Sequence, residues 1–291
     1  MSIEAVATEA VGAPLGDQVA TIRPRSRLRR GTWIIGAVLL AIIVLGAILA
    51  PVLVSVGPLQ TSSAVLQAPS RAHWFGTDEL GRDLFSRVLY GSRETLAVGA
   101  AVTVLSTVLG GLGGLVAGYF GGWGDTVLSR LSDVLLSVPT MLLAIVIVAS
   151  FGSESTYLTL ALVLVFVPVM LRVVRSSTIS VRGRNFVRSA EAIGASPARV
   201  LFLEIPPHVV GPALVQGTFT FAYAVLTEAA LNFIGIGVRP PNPSWGSTIS
   251  AGQAFLYQAP FYSLIPGLLL TLTVFAANLV ADGLEARRSS R

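Results

Sequence analysis

The chain has 291 residues, 53% of them hydrophobic and 12% charged, about half the charged share of roughly 25% usual in soluble globular proteins. Its net charge is +5 and all twenty basic residues are arginine, placed between apolar stretches; this pattern bears on membrane topology and speaks against a nucleic-acid-binding surface. Cysteine is absent, which excludes disulfides, thiolate catalysis and cysteine-ligated metal sites.

Residues 1–31 read as a disordered cytoplasmic tail that turns basic at Arg23, Arg25, Arg27, Arg29 and Arg30. The apolar run Trp33 to Val56 is too long and starts too late for a cleaved signal peptide, so it is expected to be a retained membrane-spanning helix. With the extracytoplasmic stretch after it, it forms a first unit, 32–92. A core unit of five further spans, 93–285, is predicted at Thr95 to Phe120, Val134 to Phe151, Tyr157 to Leu171, Val209 to Phe233 and Phe261 to Ala281. Residues 286–291 close the chain as a cytoplasmic tail. The apolar runs have no period of two, which argues against a β-barrel. The fold class is therefore all-α, with six transmembrane helices.

With the N-terminus in the cytoplasm, fifteen arginines fall inside and five outside. The positive-inside bias thus places both termini in the cytoplasm. Four of the outer arginines, Arg71, Arg82, Arg87 and Arg93, are matched by Asp78, Glu79, Asp83 and Glu94. In the second predicted span Gly110, Gly114 and Gly118 lie four apart, on one helix face where a second backbone can approach. Arg130 and Asp133 are spaced to pair locally. Glu228, at or inside the outer end of the fifth span, has two open roles: an ion pair with an arginine such as Arg82 or Arg93, or a place on a transport path. His73 and His208 fall on opposite sides of the membrane and cannot share a metal site.

The connection between the fourth and fifth spans is about 35 residues long, well above the usual 4–6. Asn185 to Ile193 suits a short helix stopped by Gly194. Ser196 can cap a second helix with Pro197 in its first turn, and Pro206 and Pro207 are expected to end it. The element reads equally as a knob for a soluble partner and as a basic helix on anionic lipid.

A resemblance decides between them. This stretch is similar to the "EAA" loop of bacterial ATP-binding cassette importer permeases, with Ala190, Gly194 and Pro207 on the motif. Arg188 and Ser189 stand where the motif has Glu and Ala, and Glu191 lies off the motif position. Upstream, Gly76, Thr77, Asp78, Gly81, Arg82, Asp83, Ser86, Arg87, Gly91 and Arg93 resemble the pattern G-T-D-x-x-G-R-D-x-x-S-R followed by G-x-R of dipeptide and oligopeptide permease C subunits. Downstream, Glu228 to Gly246 resembles the same family's E-x-x-L-S-F-L-G-x-G-x-x-P-P-x-P-S-W-G, with Asn232 in place of Ser.

The resemblance implies a type I importer permease fold whose cytoplasmic loop, with Ser189, Ala190, Glu191, Ala192, Gly194 and Pro207, couples to ATPase subunits. It marks Asp78, Gly81, Arg82, Asp83 and Arg87 as a family-specific extracytoplasmic segment. It also implies the partners: a second homologous permease, two ATPases or a paired ATPase, an extracytoplasmic substrate-binding protein and the bilayer of a bacterial inner membrane. The implied cargo is a dipeptide or short oligopeptide, with nickel, glutathione or another small solute as alternatives. No cofactor or metal is expected on this chain, and ATP and Mg belong to its partners. Without lysine the phosphate loop G-x-x-x-x-G-K-[ST] cannot occur, and neither H-E-x-x-H nor G-x-S-x-G is found. Enzymatic chemistry and a secondary transporter are accordingly disfavoured.

Overall fold

The computed structural model describes residues 26–238 and 240–289, with side chains over 32–238 and 240–286. The tail before residue 26, Arg239 and the last two residues of the predicted C-terminal tail lie outside the described residues. Within them, ten α-helices follow in order: α1 (Ser26–Leu53), α2 (Leu84–Phe120), α3 (Gly122–Ser137), α4 (Thr140–Phe151), α5 (Ser155–Arg182), α6 (Asn185–Ala192), α7 (Pro197–Arg199), α8 (Pro206–Phe233), α9 (Trp245–Gly252) and α10 (Phe261–Ser289). Five of these, α1, α2, α5, α8 and α10, are long and apolar enough to cross a membrane. Side chains such as Ile35, Val38, Val52, Val104 and Leu268 stand more than half exposed. A surface this apolar is untenable in water and suits contact with lipid.

The predicted third span is not one helix. It is the pair α3 and α4, bent by 90°. The cause is Pro139: the residue before it, Val138, is extended at φ −89° and ψ 131°, as steric conflict with a following proline requires. The inner half of the bent pair is held by charge. Arg175 donates to both carboxylate oxygens of Asp125, its Nη2 at 2.6 Å from Oδ2, and Arg172 Nη2 reaches Asp133 at 2.6 Å. Asp133 therefore pairs with α5, thirty-nine residues on, and not with Arg130.

Helices α2 and α5 form the centre of the bundle. A Cβ at Gly110, Gly114 or Gly118 would lie 2.6, 2.7 and 2.8 Å from the carbonyl oxygens of Val167, Leu171 and Arg175 respectively. The expected packing face is thus a seam where two backbones touch over three turns. Around it Val98, Val102, Leu158, Leu162, Phe166, Ala224 and Leu231 make one buried cluster of α2, α4, α5 and α8. The first helix packs on α10 and α2 through Ile43 and Ala47.

Three helix boundaries depart from expectation. The fourth span does not stop at Leu171, because α5 runs on to Arg182: Arg172 and Arg175 have carboxylate partners on α3, and Arg182 lies in the last turn, where a cation suits a helix C-terminus. The second begins eleven residues early, at Leu84, because Asp83 caps it by accepting from the Ser86 N–H at 2.8 Å. Pro206 and Pro207 do not end a helix but open α8, where their missing N–H groups would have had no partner.

Candidate functional site

Three segments carry the candidate residues. On the arginine-rich side, α6 ends at Ile193, and Gly194 takes φ +85°. The Gly194 N–H donates to the Glu191 carbonyl at 3.0 Å and the Ala195 N–H to the Ala190 carbonyl at 3.0 Å, the paired bonds of a Schellman cap. Ser196 then caps the next turn by accepting from the Arg199 N–H at 3.3 Å. From Val200 the chain widens into a π turn, closed by the Ile205 N–H on the Val200 carbonyl at 3.0 Å.

The wider turn divides the side chains cleanly. Val187, Val200, Leu201 and Ile205 are buried against Tyr119, Met170, Val174 and Val181. Ile193, Phe202 and Leu203 face outward, Ile193 at 87% exposure. Ser189, Glu191, Ala192, Gly194 and Pro207 are exposed and Ala190 is half-buried. Among the described residues, its chain neighbours apart, nothing lies within 4 Å of a Cβ built on Gly194. The segment is thus a rigid knob with an apolar tip and open space at its bend. The outward Ile193, Phe202 and Leu203 were not singled out from sequence; the π turn that exposes the last two leaves no mark in residue spacing.

On the opposite side, residues 57–83 fold over the outer ends of α2 and α10. Asp78 is fully buried. Its Oδ1 accepts from the Leu80 and Arg82 N–H groups, both at 2.9 Å, and its Oδ2 from Arg82 Nε at 2.5 Å. Arg87 Nε stands 3.4 Å from the same oxygen, and Arg87 Nη1 donates to the Pro58 carbonyl at 3.3 Å. Arg82 Nη2 donates to Glu79 at 3.1 Å, and Glu79 in turn accepts from the Tyr262 hydroxyl of α10. Gly81 holds φ +68°, with Ser62 O only 2.1 Å from where a Cβ would be. Asp83 caps α2 and meets His73 Nδ1 at 3.0 Å. All five predicted residues, Asp78, Gly81, Arg82, Asp83 and Arg87, therefore converge in one knot. The charge matching is narrower than expected: Arg93 lies over the Tyr90 ring at 5.7 Å, and Glu94 accepts from the Ser155 hydroxyl.

The third segment locks the outer end of α8. Glu228 is fully buried and pairs with no arginine among the described residues. Its Oε1 accepts from Asn232 Nδ2 at 2.6 Å, while its Oε2 has no hydrogen-bond partner among the described residues. Asn232 Oδ1 accepts from the Val238 N–H at 2.6 Å, so the asparagine ties the helix end to the returning loop. A Cβ on Gly246 would meet the Ala229 carbonyl at 2.1 Å. Trp245 Nε1 donates to the Val88 carbonyl at 3.2 Å and to Ser92 Oγ at 3.1 Å.

The described residues are helical and membrane-spanning, with a capped knob at one end of the bundle and an ion-paired segment at the other. Residues 110–290 match the family described as the binding-protein-dependent transport system inner membrane component, and the chain belongs to that family. It is 41% identical over 253 residues to the dipeptide transport system permease protein DppC of Alkalihalophilus pseudofirmus, covering 87% of this chain and 83% of the relative. Against DppC of Haemophilus influenzae it is 35% identical over 259 residues, 87% and 88% of the two chains. It is also 38% identical over 219 residues, 75% and 73% of the two chains, to the glutathione transport system permease protein GsiD of Pectobacterium atrosepticum.

Proposed function

We propose that the chain is a permease subunit of an ATP-driven importer that brings dipeptides or short oligopeptides into the cell. The observation that carries this is the knob at Gly194. It is preformed, capped by its own backbone, apolar at Ile193 and otherwise uncovered, as a socket-seated contact must be. The arginine bias supports placing that knob and both termini in the cytoplasm of a bacterial cell, with the chain in the inner membrane. ATP and Mg then act on two docked ATPase subunits or a paired ATPase. A second homologous permease completes the path, and an extracytoplasmic binding protein delivers cargo to the platform built on Asp78, Arg82 and Arg87.

Alternating access follows from differential affinity. A ligand moves a two-state equilibrium only by binding one state more tightly. ATP-closed ATPases held at Ser189, Ala190, Glu191, Ala192, Gly194 and Pro207 favour one arrangement of the helices, and release after hydrolysis favours the other. Glu228, buried and hydrogen-bonded within the chain, serves this scheme as part of the outer lock, not as a group on the path. Peptide cargo is favoured by the dipeptide permeases among the relatives, and a glutathione carrier is the second reading because other relatives bear that name. Uptake of a radiolabelled dipeptide in cells lacking and then regaining the gene tests the choice. Loss and recovery are expected. Unchanged dipeptide uptake with lost glutathione uptake overturns the first reading in favour of the second.

A further inference from the structure

We infer that Tyr119 is the residue that ties the knob to the membrane helices, passing displacement of α6 into α2; this rests on the coupling role proposed above. Tyr119 lies one residue from the inner end of α2 and is 6% exposed. Its hydroxyl donates to Glu191 Oε1 at 3.1 Å. Among the described residues this is the sole side-chain hydrogen bond from α6 to a membrane helix. The larger anchors of α6 lie in its first turn: Val187, fully buried, and Phe186, whose ring sits 4.7 Å from that of His208. Glu191 is at the other end, three residues from the bend at Gly194. Besides it the far half of α6 is held only by its backbone and by the small, half-buried Ala190.

The ring has a second partner. The Arg182 guanidinium, on the last residue of α5, stands 5.4 Å above its centroid, within cation–π range. One side chain therefore joins the ends of α2, α5 and α6. Beyond it α2 is unbroken. The Gly110, Gly114 and Gly118 seam fuses α2 to α5, and α2 runs 37 residues without proline to the outer platform. There Trp245 and Asp83 fasten its far end. A push on the knob thus reaches α2 through the polar tie of this phenol, beside the apolar contacts of Val187, Val200, Leu201 and Ile205.

A packing role alone would need the ring and not the hydroxyl, so Tyr119→Phe separates the two. The assembled importer, with its ATPases and binding protein in proteoliposomes, is assayed for dipeptide taken up per ATP hydrolysed. Tyr119→Phe and Glu191→Ala should each lower that ratio about five-fold, the scale of one hydrogen bond to a charged acceptor partly open to water. The double variant should fall no further than either single one. Glu191→Gln, which keeps an acceptor, should restore most of the ratio. Gly194→Trp is the control for the underlying reading. If it uncouples while Tyr119→Phe and Glu191→Ala keep the parent ratio, the role of Tyr119 is overturned and the knob stands. If Gly194→Trp also behaves as the parent, the coupling role of the whole segment is removed.

Discussion

Asp78 shows how a carboxylate can be structural in a segment that also identifies a family. Four donors or cations from three residues converge on it in a buried setting, so its charge is compensated only in this geometry. Asp78→Ala should cost about 3–5 kcal/mol, because Arg87 is left as a buried charge without its counterion and Arg82 keeps only Glu79. The expected result is a large drop in the thermal unfolding temperature of the purified assembly in detergent; a shift of a degree or two would show that water reaches the arginines. Asp83 was not read as a helix start, because the apolar run that marked the second span begins only at Thr95, beyond the polar first turns of α2. Glu228 was legible as unusual but not in its partner. A glutamate beside so many arginines suggests an ion pair, whereas the closest match came from Asn232 one turn away. An amide at that spacing carries no charge signal to read. Tyr119 and Glu191 are seventy-two residues apart, and nothing in either local sequence announces the other.

At the scale of elements, hydrophobic length located the spans and misjudged their ends. The fourth was cut short because Arg172 closes the apolar run, yet a helix tolerates cations on its final turns, and here two of them have carboxylates on α3. The bent pair was read as one span because apolar composition continues across Val138 and Pro139. Proline in that position was the available warning. By contrast the glycine spacing in α2 was fully informative, since close backbone approach is a requirement that few other residues meet. Gly114→Val places branched carbons against the Leu171 carbonyl, 2.7 Å from the added Cβ. It should separate α2 from α5 at a cost of about 1–3 kcal/mol or more, read as lost yield of folded protein on size-exclusion chromatography. Gly111→Val, where nothing lies within 4 Å, should behave as the parent.

At the scale of the molecule, the arginine distribution and the fold agree on two chemically distinct faces. One bears the apolar-tipped knob, the other the ion-paired platform and the exposed Tyr257. The absence of cysteine makes the sidedness directly testable, since a single introduced thiol has no background. Ile193→Cys should react with a membrane-impermeant maleimide only in inside-out vesicles, and Tyr257→Cys only in intact spheroplasts. The reverse pattern would invert the topology and with it the direction of transport assigned to the chain.

The length of α2 has its own implication. At 1.5 Å per residue its 37 residues reach about 55 Å, nearly twice a hydrocarbon core of roughly 30 Å. Each end is fastened at a fixed angle around the axis, Val88 under Trp245 and Tyr119 toward Glu191, with the glycines between facing α5. Deleting one residue from the rod would rotate one end against the other by about 100°. No single register would then satisfy both attachments and the glycine face. Substitution at its lipid-facing positions is cheap, but insertion or deletion is not: in this helix the count of residues is as much a determinant of function as their identity.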